Sequence, residues 1–398
     1  MDSYSCPEHE AYRLLMSNAC RIYLFPSKET VFYKRIVFKD HKHARNKIKT
    51  APYKLKSDIE SYKVVTSFLS SKACQAVIET AGVGIPKCYD AQLEPNDDIP
   101  IQSKFSFLIQ DFSPLDGWYQ QRWLLNHEEC KATLNILAKF HAFFWNGSSF
   151  YQERDAVEEL YQSVWESGSY IQPNRNKNQC ENVAKAWKAN KYLCEDELSC
   201  FDYWEDLGDR LQSLSYENGR LAHPFANEET KNDYQQFRTL IHGDPKQANY
   251  LFRQDSKALQ VGMLDFQWCG FGLAATDIAH FMTSAVHSNC LNGGEDFLLK
   301  FYFDRLQQYL VEYGAFDSSK EALEAFTYET FQRQYETGVM DICRLVIAYA
   351  WSRFDPVDDQ EDYDGVTRTM NKNSYNKSKS NVVWLMSRCD EIMKARGI

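Results

Sequence analysis

One stretch of the chain holds the residue types that phosphoryl transfer requires. Asp244 and Asn249 lie five positions apart within residues 242–249, and Asp265 follows after two short apolar runs. Those runs flank a polar turn and predict a β-hairpin over residues 250–264. Antiparallel pairing would place Asn249 and Asp265 side by side at the open end of this hairpin, with Asp244 on the preceding loop. Three oxygen-bearing side chains are therefore expected to converge.

These residue types suit defined roles in one reaction. Phosphoryl transfer needs a hard cation on the phosphates and a group that orients the attacking hydroxyl and accepts its proton. Carboxylate and amide oxygens suit Mg²⁺, so Asn249 and Asp265 are the predicted metal ligands. Asp244 is the predicted catalytic base, because base and metal-binding Asn have the same spacing in the kinase catalytic loop. For the tripeptide at 242–244 alone, an ordinary turn with an Asx-type hydrogen bond is the competing interpretation.

Asp277 follows the hairpin and has two interpretations. It could anchor the loop that holds Asp244 from the next helix. It could instead be an N-terminal carboxylate that the helix dipole favours. The sequence leaves both open.

Composition excludes several other classes of protein. The 398 residues have a net charge of -10, which argues against nucleic-acid binding, and the basic run at residues 39–49 is expected to be a solvated helical face. The twelve cysteines form no C-x-x-C pair, so reduced thiols are expected and a zinc site is not. Neither a signal peptide nor an apolar run of membrane-spanning length is visible. We expect a cytoplasmic protein that neither enters nor crosses a membrane.

Hydrophobic patterning predicts an α+β chain in two parts. Two strands within residues 21–39 are joined by a turn at 26–29, and a helix is expected near Asp58, behind a capping box at residues 57–60. Further strands are expected at residues 84–89 and 105–110. Helical periodicity dominates after Pro114, and residues 134–142 have one apolar face. The expected domains are residues 1–112 and 113–398, with a boundary near Phe112.

With these motifs the chain resembles the choline-kinase-like and ecdysteroid-kinase-like branch of the aminoglycoside phosphotransferase superfamily. The pattern H-G-D-x-x-x-x-N matches residues 242–249, and hydrophobic-D-F-Q matches residues 264–267. Residues 137–142 resemble the helix after the hinge, and the resemblance extends over residues 15–390. It implies a two-lobe, protein-kinase-like fold with a small mixed-sheet N-lobe and a larger helical C-lobe. It also implies ATP and Mg²⁺ as cofactors, and transfer of the γ-phosphoryl group to a hydroxyl of a small molecule.

The resemblance assigns further residues to the nucleotide. Lys34 would hold the α- and β-phosphates, and strand alternation favours it over Lys39, although a snorkelling surface lysine is the alternative. Asp111 would lie at the hinge, where backbone groups read adenine. The phosphate-covering loop would be residues 17–21, which contain no glycine. Val65 stands where a glutamate would pair with Lys34, so a nucleotide-binding pseudokinase or scaffold without turnover is the alternative function.

The acceptor is less defined by the sequence. Acidic residues at 355–364, with the aromatic faces of Tyr349, Trp351 or Phe354, could hold a cationic acceptor, and a solvated acidic loop is the alternative. Lys246 could neutralise the transferring phosphoryl group, or be exposed without such a role. A protein kinase is disfavoured because no Arg lies between His242 and Asp244 and no A-P-E element follows Asp265. The identity of the acceptor and the oligomeric state stay open.

Overall fold

A computed structural model of the chain describes residues 3–5, 11–13, 16–27, 29–121, 123–175, 177–256, 258–351 and 378–398. Its N-terminal part contains a six-stranded antiparallel sheet with the order β1-β3-β4-β6-β5, in which β2 pairs with β3. The strands are β1 Ser3–Ser5, β2 Ala11–Arg13, β3 Asn18–Phe25, β4 Thr30–Val37, β5 Cys88–Glu94 and β6 Lys104–Gln110.

The central strands confirm the predicted N-terminal hairpin. β3 and β4 pair through a turn that the Glu29 carbonyl closes by accepting from the Leu24 N–H at 2.9 Å. Residues 17–21, however, were wrongly predicted as a phosphate-covering loop. Residues 18–21 belong to β3, because their extended backbone pairs with β4, and residues 18–20 also pair with β2.

The predicted strand at residues 84–89 begins later than expected. β5 starts at Cys88, and Gly84 lies in the linker before it. The Gly84 carbonyl accepts from the Met263 N–H at 2.7 Å, and a Cβ on Gly84 would lie 2.0 Å from the Val261 carbonyl oxygen. The linker is thus bonded to another part of the chain instead of the sheet.

Three helices follow the first strands: α1 Lys42–Thr50, α2 Pro52–Ser70 and α3 Lys72–Ala81. The predicted start near Asp58 was wrong, because α2 begins at Pro52, whose fixed φ suits the first position of a helix. Residues 57–60 lie inside α2 and form no capping box. There Asp58 pairs with Lys47 at 2.5 Å instead.

The C-terminal part is mainly helical. α4, His127–Phe143, starts with a capping box between Asn126 and Glu129, and its predicted apolar face is buried. The other helices are α5 Arg154–Ser163, α6 Lys177–Cys180, α7 Val183–Asn190, α8 Glu195–Leu198, α9 Leu207–Ala222, α10 Glu228–Tyr234, α11 Ala274–Ser284, α12 Ser288–Leu291, α13 Glu295–Glu312, α14 Ser319–Ala325, α15 Tyr328–Leu345 and α16 Lys379–Ala395. α11 is buried along its whole length, with α15 packed against it.

Two strand pairs lie among these helices. β8 Tyr250–Gln254 and β9 Leu259–Met263 form the predicted hairpin, with Tyr250 opposite Met263. β7 Arg238–Ile241 and β10 Gly270–Leu273 form a second antiparallel pair that the sequence did not predict. The arrangement confirms the expected two-lobe, protein-kinase-like α+β fold. The expected mixed sheet of the N-lobe was wrong, because each described pairing in that sheet is antiparallel.

Within the described ranges, no helix combines the length and the apolar character that a membrane crossing requires.

Candidate active site

A cavity of about 550 Å³ lies between the sheet and the helical part. Its wall includes four of the five predicted site residues: Lys34, Asp111, Asn249 and Asp265. The volume falls within the usual range for small-molecule sites. Two grooves of about 940 and 820 Å³ lie elsewhere, and none of the predicted site residues lines them. Four of the five residues predicted from the sequence therefore line this cavity.

The loop after β7 requires a glycine. Gly243 has φ +81°, and a Cβ there would lie 2.2 Å from the Trp268 carbonyl oxygen and 2.7 Å from the Ser169 nitrogen. The backbone N–H groups of His242 and Gly243 donate to the Asp277 carboxylate at 2.7 and 2.9 Å. Asp277 therefore anchors the loop from α11, as one of its two interpretations held.

A chain of buried polar groups supports Asp277. The Nε2 atom of His141 lies 3.2 Å from Asp277 Oδ2, and its Nδ1 atom lies 2.7 Å from the Tyr302 hydroxyl. Burial by itself would raise the pKa of Asp277, but its hydrogen bonds to His141 and Gly243 and the nearby His141 and His242 rings hold that pKa below its ordinary value. The carboxylate is therefore held as an anion beneath the loop.

Asp244 lies on this loop, and its two carboxylate oxygens have different surroundings. The Lys246 ammonium contacts Asp244 Oδ2, and Asn249 Nδ2 donates to the Asp244 carbonyl at 2.7 Å. Asp244 Oδ1 is buried and accepts no hydrogen bond from any described residue. Lys246 therefore neutralises part of the Asp244 charge, and is not an exposed lysine without such a role.

Asn249 and Asp265 meet at the open end of the β8–β9 hairpin, as predicted. The Leu264 N–H donates to the Asn249 carbonyl at 2.9 Å, which fixes their register. Asp265 has φ +64°, a conformation that few side chains other than Asn and Asp adopt. Its Oδ1 atom is buried without a hydrogen-bond partner in the described chain, whereas Asn249 donates through Nδ2 and so leaves its Oδ1 as the acceptor. Two oxygen atoms of this kind fit a hard cation such as Mg²⁺.

Lys34 lies in the middle of the sheet, opposite Ala19 on β3 and Phe107 on β6. Its ammonium lies 5.3 Å from the centre of the Tyr62 ring and 5.9 Å from that of Phe107. Among the described residues it makes no ion pair. Val65, at the position where the resemblance predicted a glutamate, lines the same cavity. Aromatic faces therefore surround Lys34 where a carboxylate was expected.

Lys39 is exposed in the turn after β4 and does not line the cavity. Strand alternation thus chose correctly which of the two lysines faces the cavity.

Arg21 is a cation of the cavity wall to which the sequence analysis gave no contact with the nucleotide or with Asp111. It extends from β3, and its guanidinium binds both carboxylate oxygens of Asp111, with an Nη2–Oδ1 distance of 3.2 Å. The Asp111 carboxylate is therefore engaged, so any contact with a nucleotide falls to its backbone. Ala19 and Arg21 share one face of β3, and this period-2 spacing was the signal that could have identified Arg21.

The candidate cation-binding residues are only partly described. Trp351 is buried and stacks on Trp187 with ring centres 5.4 Å apart, so the expectation that it offers a free aromatic face was wrong. Tyr349 is partly exposed, and the small pocket beside it is also lined by Lys54 and Arg175. Phe354 and the acidic residues at 355–364 lie outside the described residues.

Comparisons with solved structures give weak similarities. An aminopropanol kinase associated with a microcompartment is 12% identical over 98% of this chain and 93% of its own, with a TM-score of 0.43. An ethanolamine kinase from Plasmodium vivax is 10% identical over 99% and 84%, with a TM-score of 0.39. A thermostable mutant of an aminoglycoside phosphotransferase, in complex with ADP and hygromycin B, is 10% identical over 99% and 94%, with a TM-score of 0.36.

Sequence comparison is more decisive. A search of curated proteins gave no significant match. The sequence model of the ecdysteroid kinase-like family matches residues 16–315, which is about three quarters of the chain and includes all five predicted site residues. The chain therefore belongs to the ecdysteroid kinase-like family.

Proposed function

We propose that this protein transfers the γ-phosphoryl group of ATP to a hydroxyl of a small molecule. The observation that carries the proposal is a pair of buried carboxylate oxygens, Asp244 Oδ1 and Asp265 Oδ1, on either side of Asn249 in the chain. Neither oxygen has a hydrogen-bond partner among the described residues. A buried anionic oxygen without a partner is costly, so two of them at one loop support roles completed by a substrate proton and a metal ion.

The nucleotide would lie in the 550 Å³ cavity. Its apolar wall offers surfaces for a planar base, and Lys34 supplies positive charge for phosphates, whereas the charge of Arg21 is already balanced by Asp111. The apolar residues of this wall include Ala19, Phe32, Val65, Leu69, Phe107, Ile109, Leu251 and Leu264. Adenine would contact the backbone near Asp111. We place the division between N-lobe and C-lobe at Phe112, with residues 1–112 on one side and 113–398 on the other.

The chemistry assigns one role to each residue of the loop. The acceptor oxygen would form a bond to the γ-phosphorus while the bond to the β-phosphate oxygen breaks, and the hydroxyl proton would pass to Asp244 Oδ1. Mg²⁺ held by Asn249 and Asp265 would neutralise charge on the phosphates. The Lys246 ammonium would balance the negative charge of Asp244 until Asp244 accepts the hydroxyl proton.

The acceptor would be an uncharged or weakly charged hydroxyl compound. Two aromatic faces close to the catalytic loop are already covered by a cation of the chain itself: the Arg175 guanidinium lies 4.0 Å from the centre of the Trp165 ring and 5.4 Å from that of Trp268. A cationic acceptor could not use these rings, and it would meet the charge of Arg175. This occupancy argues against the cationic class at this surface. The cytoplasmic location expected from the sequence remains a prediction.

A pseudokinase without turnover is the second candidate, and one observation favours it. Lys34 has no carboxylate partner within the described ranges, because Val65 occupies the expected glutamate position. Without that ion pair the lysine could bind phosphate without orienting it for transfer. ATP binding would then persist while phosphoryl transfer would not.

The deciding experiment measures ADP release from Mg-ATP with a panel of hydroxyl compounds: glycerol, ethanolamine, choline, a polyhydroxylated steroid and an aminoglycoside. We expect one class to give turnover, and Asp244→Asn to lower that turnover by about 10²- to 10⁴-fold, the usual contribution of a general base. Asp155→Asn, an exposed carboxylate on α5, is the matched control and should leave the rate unchanged.

Thermal stability separates the remaining outcomes. Mg-ATP at about 100 times its Kd should stabilise the native protein by about 2.7 kcal/mol. Stabilisation without turnover on any compound would support the pseudokinase. Absence of both would reject both candidates.

A further inference from the structure

His280 is a buried histidine that the reaction described so far does not use. It lies on α11 with 1% of its surface exposed. Neither Nδ1 nor Nε2 has a hydrogen-bond partner in the described chain. The other buried histidines near the loop, His141 and His242, both have partners. A buried imidazole with two unsatisfied nitrogens calls for a physical reason.

The geometry beside Asp244 supplies that reason. His280 Nε2 lies 3.8 Å from Asp244 Oδ1, which is too far for a direct hydrogen bond. Both atoms are buried, and neither has a hydrogen-bond partner among the residues that the structure describes. A hydroxyl oxygen about 2.8 Å from each would satisfy the two atoms together, since hydroxyl hydrogen bonds have that length. The separation of the two atoms therefore allows one hydroxyl oxygen to bridge them.

The charge of His280 matters for the neighbouring base. The ionisable groups that act on it are Asp244, Asp277, Lys246 and His242, and the Tyr170 ring lies 5.6 Å from its own. Burial lowers the pKa of His280 to about 4 even though the two carboxylates act in the opposite direction. The imidazole is therefore uncharged at neutral pH. A charged imidazolium would pair with Asp244 and weaken it as a base, and a neutral ring avoids this.

We propose that His280 is a positioning residue for the acceptor. His280 and Asp244 would both form a hydrogen bond with the same hydroxyl group of the acceptor. Nε2–H donates to the hydroxyl oxygen, and the hydroxyl hydrogen then points at Asp244 Oδ1. One lone pair of the hydroxyl oxygen remains for the γ-phosphorus. The inference rests on the proposed function and adds a specific contact on the acceptor side of the site.

Three substitutions of His280 test the contact. His280→Gln can place an amide N–H near the position of Nε2, His280→Asn reaches only the position of Nδ1, and His280→Leu removes both nitrogens. The probes are water, measured as ADP release from Mg-ATP alone, and the compound of the panel with the highest turnover. His127→Leu, at an exposed position on α4, is the matched control for the loss of an imidazole.

We expect His280→Leu and His280→Asn to lower kcat/KM for the hydroxyl compound by about 10- to 100-fold, which corresponds to about 1.4–2.7 kcal/mol of lost positioning. His280→Gln should stay within about threefold of the wild type, and KM for ATP should change little in all three. Equal loss in the Gln and Leu variants, or wild-type kinetics in the Leu variant, would overturn the proposal.

A second readout needs no turnover. Nitrogen NMR of protein labelled with ¹⁵N-histidine, assigned by the loss of one signal in His280→Gln, should show proton occupancy at Nε2. A proton on Nδ1 instead would overturn the donor role. The Asp244→Asn variant separates the two ideas: if it loses turnover while His280→Leu does not, the phosphotransferase stands and the positioning role fails. If Asp244→Asn keeps full turnover, the proposed function itself fails.

Discussion

Asp277→Asn tests whether α11 holds the catalytic loop in place. The carboxylate accepts from the backbone N–H groups of His242 and Gly243 and contacts His141. An amide keeps one acceptor oxygen and presents an NH₂ group to a buried donor. The loss of a charge-assisted hydrogen bond costs about 1.5–3 kcal/mol, and the unsatisfied N–H about 1–3 kcal/mol more. We therefore expect a loss of about 3–6 kcal/mol in the free energy of unfolding.

The assay is thermal unfolding followed by calorimetry. For a chain of 398 residues the entropy of unfolding corresponds to about 0.8 kcal/mol per degree, so Tm should fall by about 4–7 °C. Asp265→Asn is the control, because Asn tolerates its positive φ and its Oδ1 has no partner to lose. A change under about 1 kcal/mol in Asp277→Asn, equal to that of the control, would refute the anchoring role.

Three further predictions concern the same site. Gly243→Ala should lower stability by about 3 kcal/mol or more, because the backbone there is left-handed and the new Cβ would lie 2.2 Å from a carbonyl oxygen. Gly82→Ala is the control and should cost only about 1 kcal/mol, since no described atom lies within 4 Å of its Cβ position. Equal Tm shifts in the two variants would contradict this prediction. Tyr62→Leu should raise KM for ATP about two- to fivefold by removing the ring beside Lys34, and Tyr62→Phe should not, so identical effects would exclude the ring contact. Because His280 has a folded-state pKa of about 4 against an ordinary 6.5, the unfolded chain binds more protons between these values, and stability should fall by up to about 3 kcal/mol as pH drops through that window. Urea titrations should show a flatter profile in His280→Gln, and parallel profiles would exclude this source of pH dependence.

Local patterns predicted the parts of the site that are close in sequence. The β8–β9 hairpin follows from two apolar runs around one polar turn, and its pairing alone brings Asn249 next to Asp265. Lys34 follows from strand alternation in the same way. Each of these depends on neighbours within one hairpin or strand, where spacing determines geometry.

Contacts between distant segments were not predictable in this way. The β7–β10 pair joins Arg238–Ile241 to a strand with two glycines, which have weak strand propensity. Arg21 meets Asp111 across 90 positions. His280 comes close to Asp244 only because α11 packs beneath the loop, and no periodicity along α11 reveals that contact. The start of α2 was predicted wrongly for a different reason. The capping-box pattern at residues 57–60 was taken as the helix start, although Pro52 is the residue at which the helix begins.

The bond between Gly84 and Met263 has a mechanical consequence. It ties the edge of the β8–β9 hairpin to the linker that enters the sheet, and the missing side chain of Gly84 lets the two backbones touch. A rotation of the sheet about this linker would therefore pull on the strand that leads directly to Asp265. The sheet and the β8–β9 hairpin are therefore connected through this one hydrogen bond. Slow hydrogen exchange of the Met263 amide would indicate that the cleft is closed, and faster exchange would indicate that it opens.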